Sequence, residues 1–487
     1  MKRITLLLLT FITLIANAQD KPNIIIFFVD DMGWQETSLP LHKKETRNNN
    51  FFHTPNMEIL ASKGLTYTNA YSAPLCSPTR VSLMTGVNAM KHRVTNWTLQ
   101  KDISPDEKSD SDIVTPPEWN VNGMSCEKGI NNTFYTYQTL PKILRKAGYK
   151  TIHVGKAHFG AKGTPASNPL NIGFDINIGG HAAGGPGSYY GTNNFSAAHR
   201  GGGNVWDVPN LERFHGKDIY LTEALTLKAS DEIQKALAEN RPFFLYLSHY
   251  AVHAPFEADK RFLNKYKAFD TTELQQTNAS MIESMDKSLG DIMQQLKLLG
   301  IDDNTIIIFM SDNGQPPSIG EQYPLRGYKI QPYEGGIRVP LIVYNPHATE
   351  HGTRIEKNVI IDDILPTVVE FAHASSEVEH AEELDGKSIA NPNKIDSNRV
   401  LFWHYPHTYY SSPYSIIRKG DWKLIYFYDK EKSELYNTKY DISEKNNLVN
   451  TNIAKYRELK QLLRNELLNT KAPIPILKKT GKPSKLP

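Results

Sequence analysis

The chain has 487 residues, enough for two domains or for one large domain with an appendage. Hydrophobic residues make up 39% and charged residues 22%, the balance of a folded globular protein, which excludes a disordered or multi-span membrane chain. A formal charge of +3 is too small to drive nucleic-acid or membrane-surface binding, so no nucleic-acid partner is expected and any anion must be held locally.

Lys2 and Arg3 precede an apolar run over residues 4–15, and Ala16, Asn17 and Ala18 follow with small residues at cleavage-type positions. That layout predicts a secretory signal peptide over residues 1–18. The run is short for a bilayer span of roughly 20 residues, and no second span follows, so an exported protein, periplasmic or secreted, is expected with no transmembrane segment. Only Cys76 and Cys126 carry thiols. One disulfide between them is the plain expectation for an exported chain, although the surroundings of Cys76 suggest another use.

The segment Asn23–Val29 is apolar throughout and ends at Asp30 and Asp31. Such a run predicts a central strand of a parallel sheet covered on both faces. Similar runs occupy residues 150–154, 243–248, 305–311 and 341–344. Helical patterns lie between them at 57–63, 140–147, 220–239, 279–299 and 364–371, which predicts an α/β domain over residues 19–375. Function in such sheets collects beyond the C-terminal ends of strands. Asp30 and Asp31, Lys156 and His158, His249 and His253, and Asp312 and Asn313 all fall there.

Beyond residue 375 the pattern changes to short strands at 400–404, 414–418, 422–428 and 434–437, followed by a charged helix over 453–469. Residues 376–487 are therefore expected to form a small α+β domain with an antiparallel sheet. Two long loops, polar at 96–132 and glycine-rich at 179–203, have the length of functional loops.

Cys76, Ser77, Pro78, Thr79 and Arg80, followed by Ser82, Thr85 and Gly86, resemble the signature of the type I, formylglycine-dependent sulfatases, of the alkaline-phosphatase-like superfamily. The resemblance, to bacterial polysaccharide sulfatases in particular, spans most of residues 22–345 and resumes at residues 419–424 and 434–437. The resemblance implies a large alkaline-phosphatase-like domain with a mixed, mostly parallel sheet between helices. It also implies that a formylglycine-generating maturation enzyme reads the Cys-x-Pro-x-Arg core and oxidises Cys76 to 3-oxoalanine. One hydroxyl of the hydrated aldehyde would then attack sulfur, and loss of a proton from the other would expel sulfate.

Asp30, Asp31, Asp312 and Asn313 supply only hard oxygen donors, which suit Ca²⁺ or Mg²⁺ rather than zinc. By resemblance they hold one Ca²⁺ together with the modified Cys76. The segment Gly155, Lys156, Ala157 and His158 resembles the family's Gly-Lys-x-His element, in which the Lys contacts sulfate and the His acts as base. His253 matches its sulfate-binding histidine, with Phe256 where many relatives carry a second one, and Lys329 matches a sulfate-contacting lysine. With Arg80 these groups form an electrostatic clamp for a tetrahedral anion. His249 reads as a core histidine, and Glu334 with Arg338 as an ion pair bracing the Gly335–Gly336 turn.

His181, Arg200, His404 and His407 are the candidates for sugar contact, because they lie in the glycine-rich loop or beside aromatic residues at a small-domain strand end. The implied substrate is a sulfated carbohydrate such as ulvan or carrageenan, and the implied activity is sulfuric ester hydrolysis. A phosphonate or phosphodiester hydrolase of the same superfamily and an inactive glycan-binding protein are the rival readings.

Overall fold

The computed structural model describes residues 21–108, 111–320 and 322–487, so the expected signal peptide at 1–18 lies outside the described residues. An eight-stranded sheet forms the centre of the molecule. Its strands are β1 (Asn23–Val29), β2 (Leu65–Tyr67), β3 (Lys150–Gly155), β4 (Ile176–Ile178), β5 (Phe243–Ser248), β6 (Thr305–Ser311), β7 (Leu341–Tyr344) and β8 (Thr353–Ile355). They lie side by side in the order β8-β2-β7-β6-β1-β5-β3-β4, and only β7 runs against the others.

The apolar run of β1 explains the layering. Ile24, Ile26 and Phe28 enter one core, and Ile25, Phe27 and Val29 enter the other, because successive side chains of a strand point to opposite faces. Helices α1 (Pro55–Lys63), α4 (Leu221–Ala238) and α5 (Glu273–Leu298) cover the second face through Leu60, Leu225 and Ile282. Helices α2 (Cys76–Thr85), α3 (Leu140–Lys146) and α6 (Ile364–Phe371) cover the first through Val81, Leu144 and Val368. Each such side chain taken fully out of water contributes about 1.5–3 kcal/mol, which is what clamps helices to both faces.

The C-terminal segment forms a four-stranded antiparallel sheet of β9 (Val400–Tyr405), β10 (Tyr414–Lys419), β11 (Trp422–Phe427) and β12 (Lys432–Asn437). One face of it, with Trp403, Tyr405, Ile416 and Ile425, joins the first core of the large sheet. The other face packs Ile417, Leu424 and Leu435 under Leu459, Leu463 and Leu467 of α7 (Ile453–Asn469). The α/β class and the antiparallel C-terminal sheet expected from the sequence are thus present. Cys76 and Cys126 are both free thiols, in agreement with the surroundings of Cys76, which argue against a disulfide. Among the described residues no helix is long and apolar enough to cross a membrane.

Candidate active site

Strands β6, β1, β5 and β3 are consecutive neighbours, so their C-terminal ends deliver their loops to one place. Val29 is in register with Ser311, which sets Asp30 and Asp31 beside Asp312 and Asn313. Ser248 is in register with Gly155, which sets Lys156 beside the loop that carries His253. Carboxylate oxygens of Asp30, Asp31 and Asp312 lie within 4.8 Å of one another, and all three residues are buried. Asp31 and His158 have φ of 61° and 56°, a left-handed backbone that is uncommon without glycine and concentrates at functional sites.

Cations face these acids. Lys156 Nζ lies 2.5 Å from Asp30 Oδ2, and Lys329 Nζ lies 2.5 Å from Asp31 Oδ1. Arg80, one turn into α2, donates from Nε and Nη2 to Asp312 Oδ2 at 3.1 and 2.8 Å. Its Nη1 donates to Ser248 Oγ at 2.6 Å, to the Lys156 carbonyl and to the Tyr246 hydroxyl. His253 Nε2 stands 3.8 Å from Asp31 Oδ2. Burial and the Asp312 carboxylate push Asp30 well above the ordinary carboxylate range. Asp31 is also buried, yet Lys329 and His253 outweigh that burial and hold it low.

Two oxygens in this cluster lack a hydrogen-bond partner although they are buried, Asp30 Oδ1 and Asn313 Oδ1. Asn313 Nδ2 donates to Asp31 Oδ1 at 2.7 Å, which orients the amide so that its oxygen is left over. Unpaired buried acceptors are costly, and a hard cation satisfies both. The donor set of Asp30, Asp31, Asp312 and Asn313 therefore fits a divalent ion of the calcium type.

Cys76 opens α2 in the same cleft, only 2% exposed. Burial pushes its thiol above the ordinary value despite Lys156 and Lys329 nearby, so it is not poised as a thiolate. His158 Nε2 lies 2.6 Å from the Thr98 carbonyl, which makes Nε2 the protonated nitrogen. Its Nδ1 is buried without a partner and remains as a lone-pair acceptor. His249 bonds Ser288 Oγ at 2.9 Å in the core, as the sequence suggests.

The cleft, about 490 Å³, is lined by Cys76, His158, His253 and Lys329. Its walls are Trp97, Trp206, Tyr328, Tyr409 and Tyr410, none of which the sequence reading selected. Trp97 lies in the polar loop, Trp206 just beyond the glycine-rich one, and Tyr409 and Tyr410 just beyond β9, so loop position was the available signal.

Four expected sugar contacts are not on those walls. His404 places Nδ1 on Ser415 Oγ and Nε2 on the Pro473 carbonyl, both at 2.7 Å. His407 places Nδ1 on Asp106 Oδ2 at 2.6 Å and Nε2 on Thr95 Oγ1 at 2.8 Å. Both rings are buried with both nitrogens engaged, so the expectation that they contact sugar is corrected. His181 packs its ring toward Tyr250, while Arg200 is exposed on a single turn over residues 198–200.

A family model described as Sulfatase matches residues 22–374, and one described as N-sulphoglucosamine sulphohydrolase, C-terminal, matches residues 329–473. The chain is 28% identical to a sulfatase of Formosa agariphila, over 90% of this chain and 86% of that protein. It is 31% identical to the mouse N-acetylgalactosamine-6-sulfatase over 74% of this chain, spanning 64% of that longer protein. Among solved structures, Ps i-CgsB in complex with k-i-k-neocarrahexaose superposes with a TM-score of 0.72 at 26% identity, covering 93% of this chain and 94% of that one. The phosphonate monoester hydrolase of Agrobacterium radiobacter shares the fold at a TM-score of 0.57 and 18% identity.

Proposed function

From the premise that the chain belongs to the sulfatase family of sulfuric ester hydrolases, we propose that it removes sulfate from a sulfated polysaccharide or its oligosaccharides. The observation that carries this reading is a buried thiol, held away from ionisation, beside a cluster of three carboxylates and three cations, of which Lys329 lines the cleft with it. A thiol of that kind is a poor nucleophile, and oxidation of Cys76 to formylglycine by a maturation enzyme supplies an oxygen nucleophile in its place. Asp30, Asp31, Asp312, Asn313 and the modified Cys76 would hold one Ca²⁺, which would supply Lewis-acid polarisation of the ester.

The chain's own side chains do the rest. Lys156, Lys329 and Arg80 set positive charge beside the anion, and His253 lines the cleft next to it as a neutral imidazole, its pKa pushed down to about 4 by burial. Lys329 and Lys156 also keep neighbouring carboxylates from repelling it. The free Nδ1 of His158 accepts the proton whose loss releases sulfate, and the Thr98 carbonyl fixes the tautomer that makes this possible. His253, whose Nδ1–H is held by the Ala254 carbonyl at 2.8 Å, would pass a proton to the departing sugar oxygen from Nε2 once that nitrogen has taken one up from solvent.

Aromatic walls suit the apolar face of a sugar ring. The neocarrahexaose in the solved neighbour supports an algal galactan such as carrageenan as substrate, the N-acetylgalactosamine-6-sulfatase relatives support a glycosaminoglycan oligosaccharide, and ulvan fragments are the third class. The same reading takes residues 1–18 as the export signal, placing the enzyme in the periplasm or outside the cell. It takes residues 19–375 as the catalytic body and 376–487 as the small subdomain.

The test is mass spectrometry of the Cys76 peptide from protein matured in a formylglycine-competent host, together with desulfation of defined oligosaccharides. Active protein is expected to carry the aldehyde at Cys76, C76A to release no sulfate, and a calcium chelator to remove activity that added Ca²⁺ restores. An unmodified Cys76 in fully active protein, or cleavage of aryl phosphodiesters with no sulfate released from any sugar, would overturn it.

A further inference from the structure

A second cavity, about 570 Å³, lies at the junction of the large and small sheets and shares no lining residue with the catalytic cleft. It is lined by six cationic side chains, Lys43, Arg338, Arg354, Lys357, Arg418 and Lys439, but by only two carboxylates, Glu356 and Asp421. The positive surplus is local, since the whole chain carries only +3.

Its charges fall into two tiers. Arg338 and Arg418 form a buried floor, and both are spent on Glu334 at 3.2 and 3.4 Å. At the rim, Lys43 faces Glu356 at 3.4 Å and Lys439 faces Asp421 at 4.0 Å. Arg354 and Lys357 are different. Arg354 donates to the carbonyls of Pro40 and Leu41, and Lys357 to the Ser397 hydroxyl. Among the described residues no carboxylate lies within ion-pair distance of either, so both keep their charge for something else.

A second feature points the same way. Trp34 lines this cavity and is fully buried, yet its indole N–H has no hydrogen-bond partner among the described residues. An indole nitrogen can only donate, so the missing partner is an acceptor oxygen. The Arg338 guanidinium lies over the same ring at 4.4 Å, bringing positive charge next to that donor. Arg354 and Lys357, two cations without a carboxylate partner among the described residues, lining one concave site with the Arg338 guanidinium below, are the complement of an oxyanion.

We propose that this cavity is a second, non-catalytic binding site for sulfated carbohydrate. The inference deepens the proposed function and rests on it. The cavity is too large for a lone inorganic anion, and Tyr440 gives it an exposed aromatic ring among its charges. A polymer also brings more sulfates than the one ester that the catalytic cleft acts on. Remaining sulfates must be met elsewhere.

Position favours the same occupant. Thr68 and Asn69 of the cavity follow β2, which points the same way as β1, so both sites open along one edge of the sheet. Three inter-strand steps separate β2 from β1, about 14 Å at ~4.8 Å per step. The loop that starts at Asp31 runs outward to Trp34 and Lys43, joining the two sites directly. A chain held at the outer site is thereby kept close to the inner one, and its local concentration rises.

The experiment is isothermal titration of full-length C76A protein with carrageenan and chondroitin sulfate hexasaccharides, each against its chemically desulfated form. At least one sulfated hexasaccharide is expected to bind at two sites per chain. The outer site should weaken about tenfold or more in the R354E/K357E background, less in R354Q/K357Q, and weaken with added salt. Desulfated forms should lose it. With Cys76 intact, R354E/K357E is expected to keep turnover of a small aryl sulfate within about twofold of the parent, since neither residue touches the catalytic cleft. A single site in C76A, a second site unmoved by both double variants, or equal binding of desulfated sugar would overturn the proposal. Loss of aryl sulfate turnover in the matured parent would instead count against the proposed function, and leaves the binding result standing.

Discussion

The Arg80 guanidinium donates to Asp312, Ser248, Tyr246 and the Lys156 carbonyl, so one side chain ties α2 to β6, β5 and the loop after β3. Not every buried charge is matched so closely. Asp362, buried beside Asn88 and with Asp385 and Asp363 nearby, is pushed up to about 7 from an ordinary 3.8. An acid raised in the folded state keeps a proton that the unfolded chain has already lost, so stability falls as pH rises from about 4 to about 7. The fall cannot exceed about 1.4 kcal/mol per pH unit for one group. Urea unfolding of D362N at pH 5 and pH 7.5 is expected to show a smaller decline than the parent, and an identical decline would remove the carboxyl from the account. At this scale the sequence was legible where side chains sit just past an apolar run, as with Asp30, Lys156, His253 and Asp312. It was illegible for the two histidines at the end of β9. His404 and His407 stand beside aromatic residues just as a sugar-binding residue would, and only the fold reveals that their nitrogens are already engaged. Trp97, Trp206, Tyr409 and Tyr410 escaped because loop residues follow no period.

The elements were read best where they are long and buried. Runs of β-branched and aromatic residues marked β1, β5 and β6 to the residue, whereas β2, β4 and β8 are three residues each and too short to show a pattern. Helix α5 begins six residues before its apolar period because Thr272 and Gln275 cap a polar first turn. The junction of β3 with β5 is the most exacting. Gly155 has φ of 103°, and a Cβ there would stand 1.9 Å from the Ser248 carbonyl oxygen. Gly163 has φ of 84° with nothing within 4 Å. G163A therefore carries only backbone strain, about 1–2 kcal/mol. G155A must also force β3 away from β5, so thermal or urea melts should place it more than about 3 kcal/mol below the parent. Sulfate release should fall with it, because Lys156 and His158 hang on that strand end. Equal melting of the two variants would mean that the strand junction gives way more easily than its geometry suggests.

Over the whole molecule, the small sheet completes the core of the large one. A buried cluster reinforces the seam. Glu334 is met by Arg338, Arg418 and Lys423 at 3.2, 3.4 and 3.1 Å and by the Tyr71 hydroxyl at 2.8 Å, while Lys423 also reaches Glu444 at 2.8 Å. The sequence reading foresaw the Glu334–Arg338 pair but not the partners from β10 and β11, which lie 84 and 89 residues away in the chain. Removing one cation from a buried cluster strands its partners and costs about 3–5 kcal/mol. K423M is accordingly expected to lower the melting temperature and, in calorimetry, to leave one transition, since both sheets share one core. Two separated transitions in the parent would show that the seam is weaker than its contacts imply. The sealing of α2 has one more consequence. Cys76 through Thr85 are buried without exception, behind Arg80 and beneath the C-terminal sheet. No protein-sized catalyst can read a peptide so enclosed. If another protein oxidises the thiol, that must happen before the polypeptide has closed around it, so the enzyme's competence is settled before its folding is finished and a chain that closes too early has no second chance.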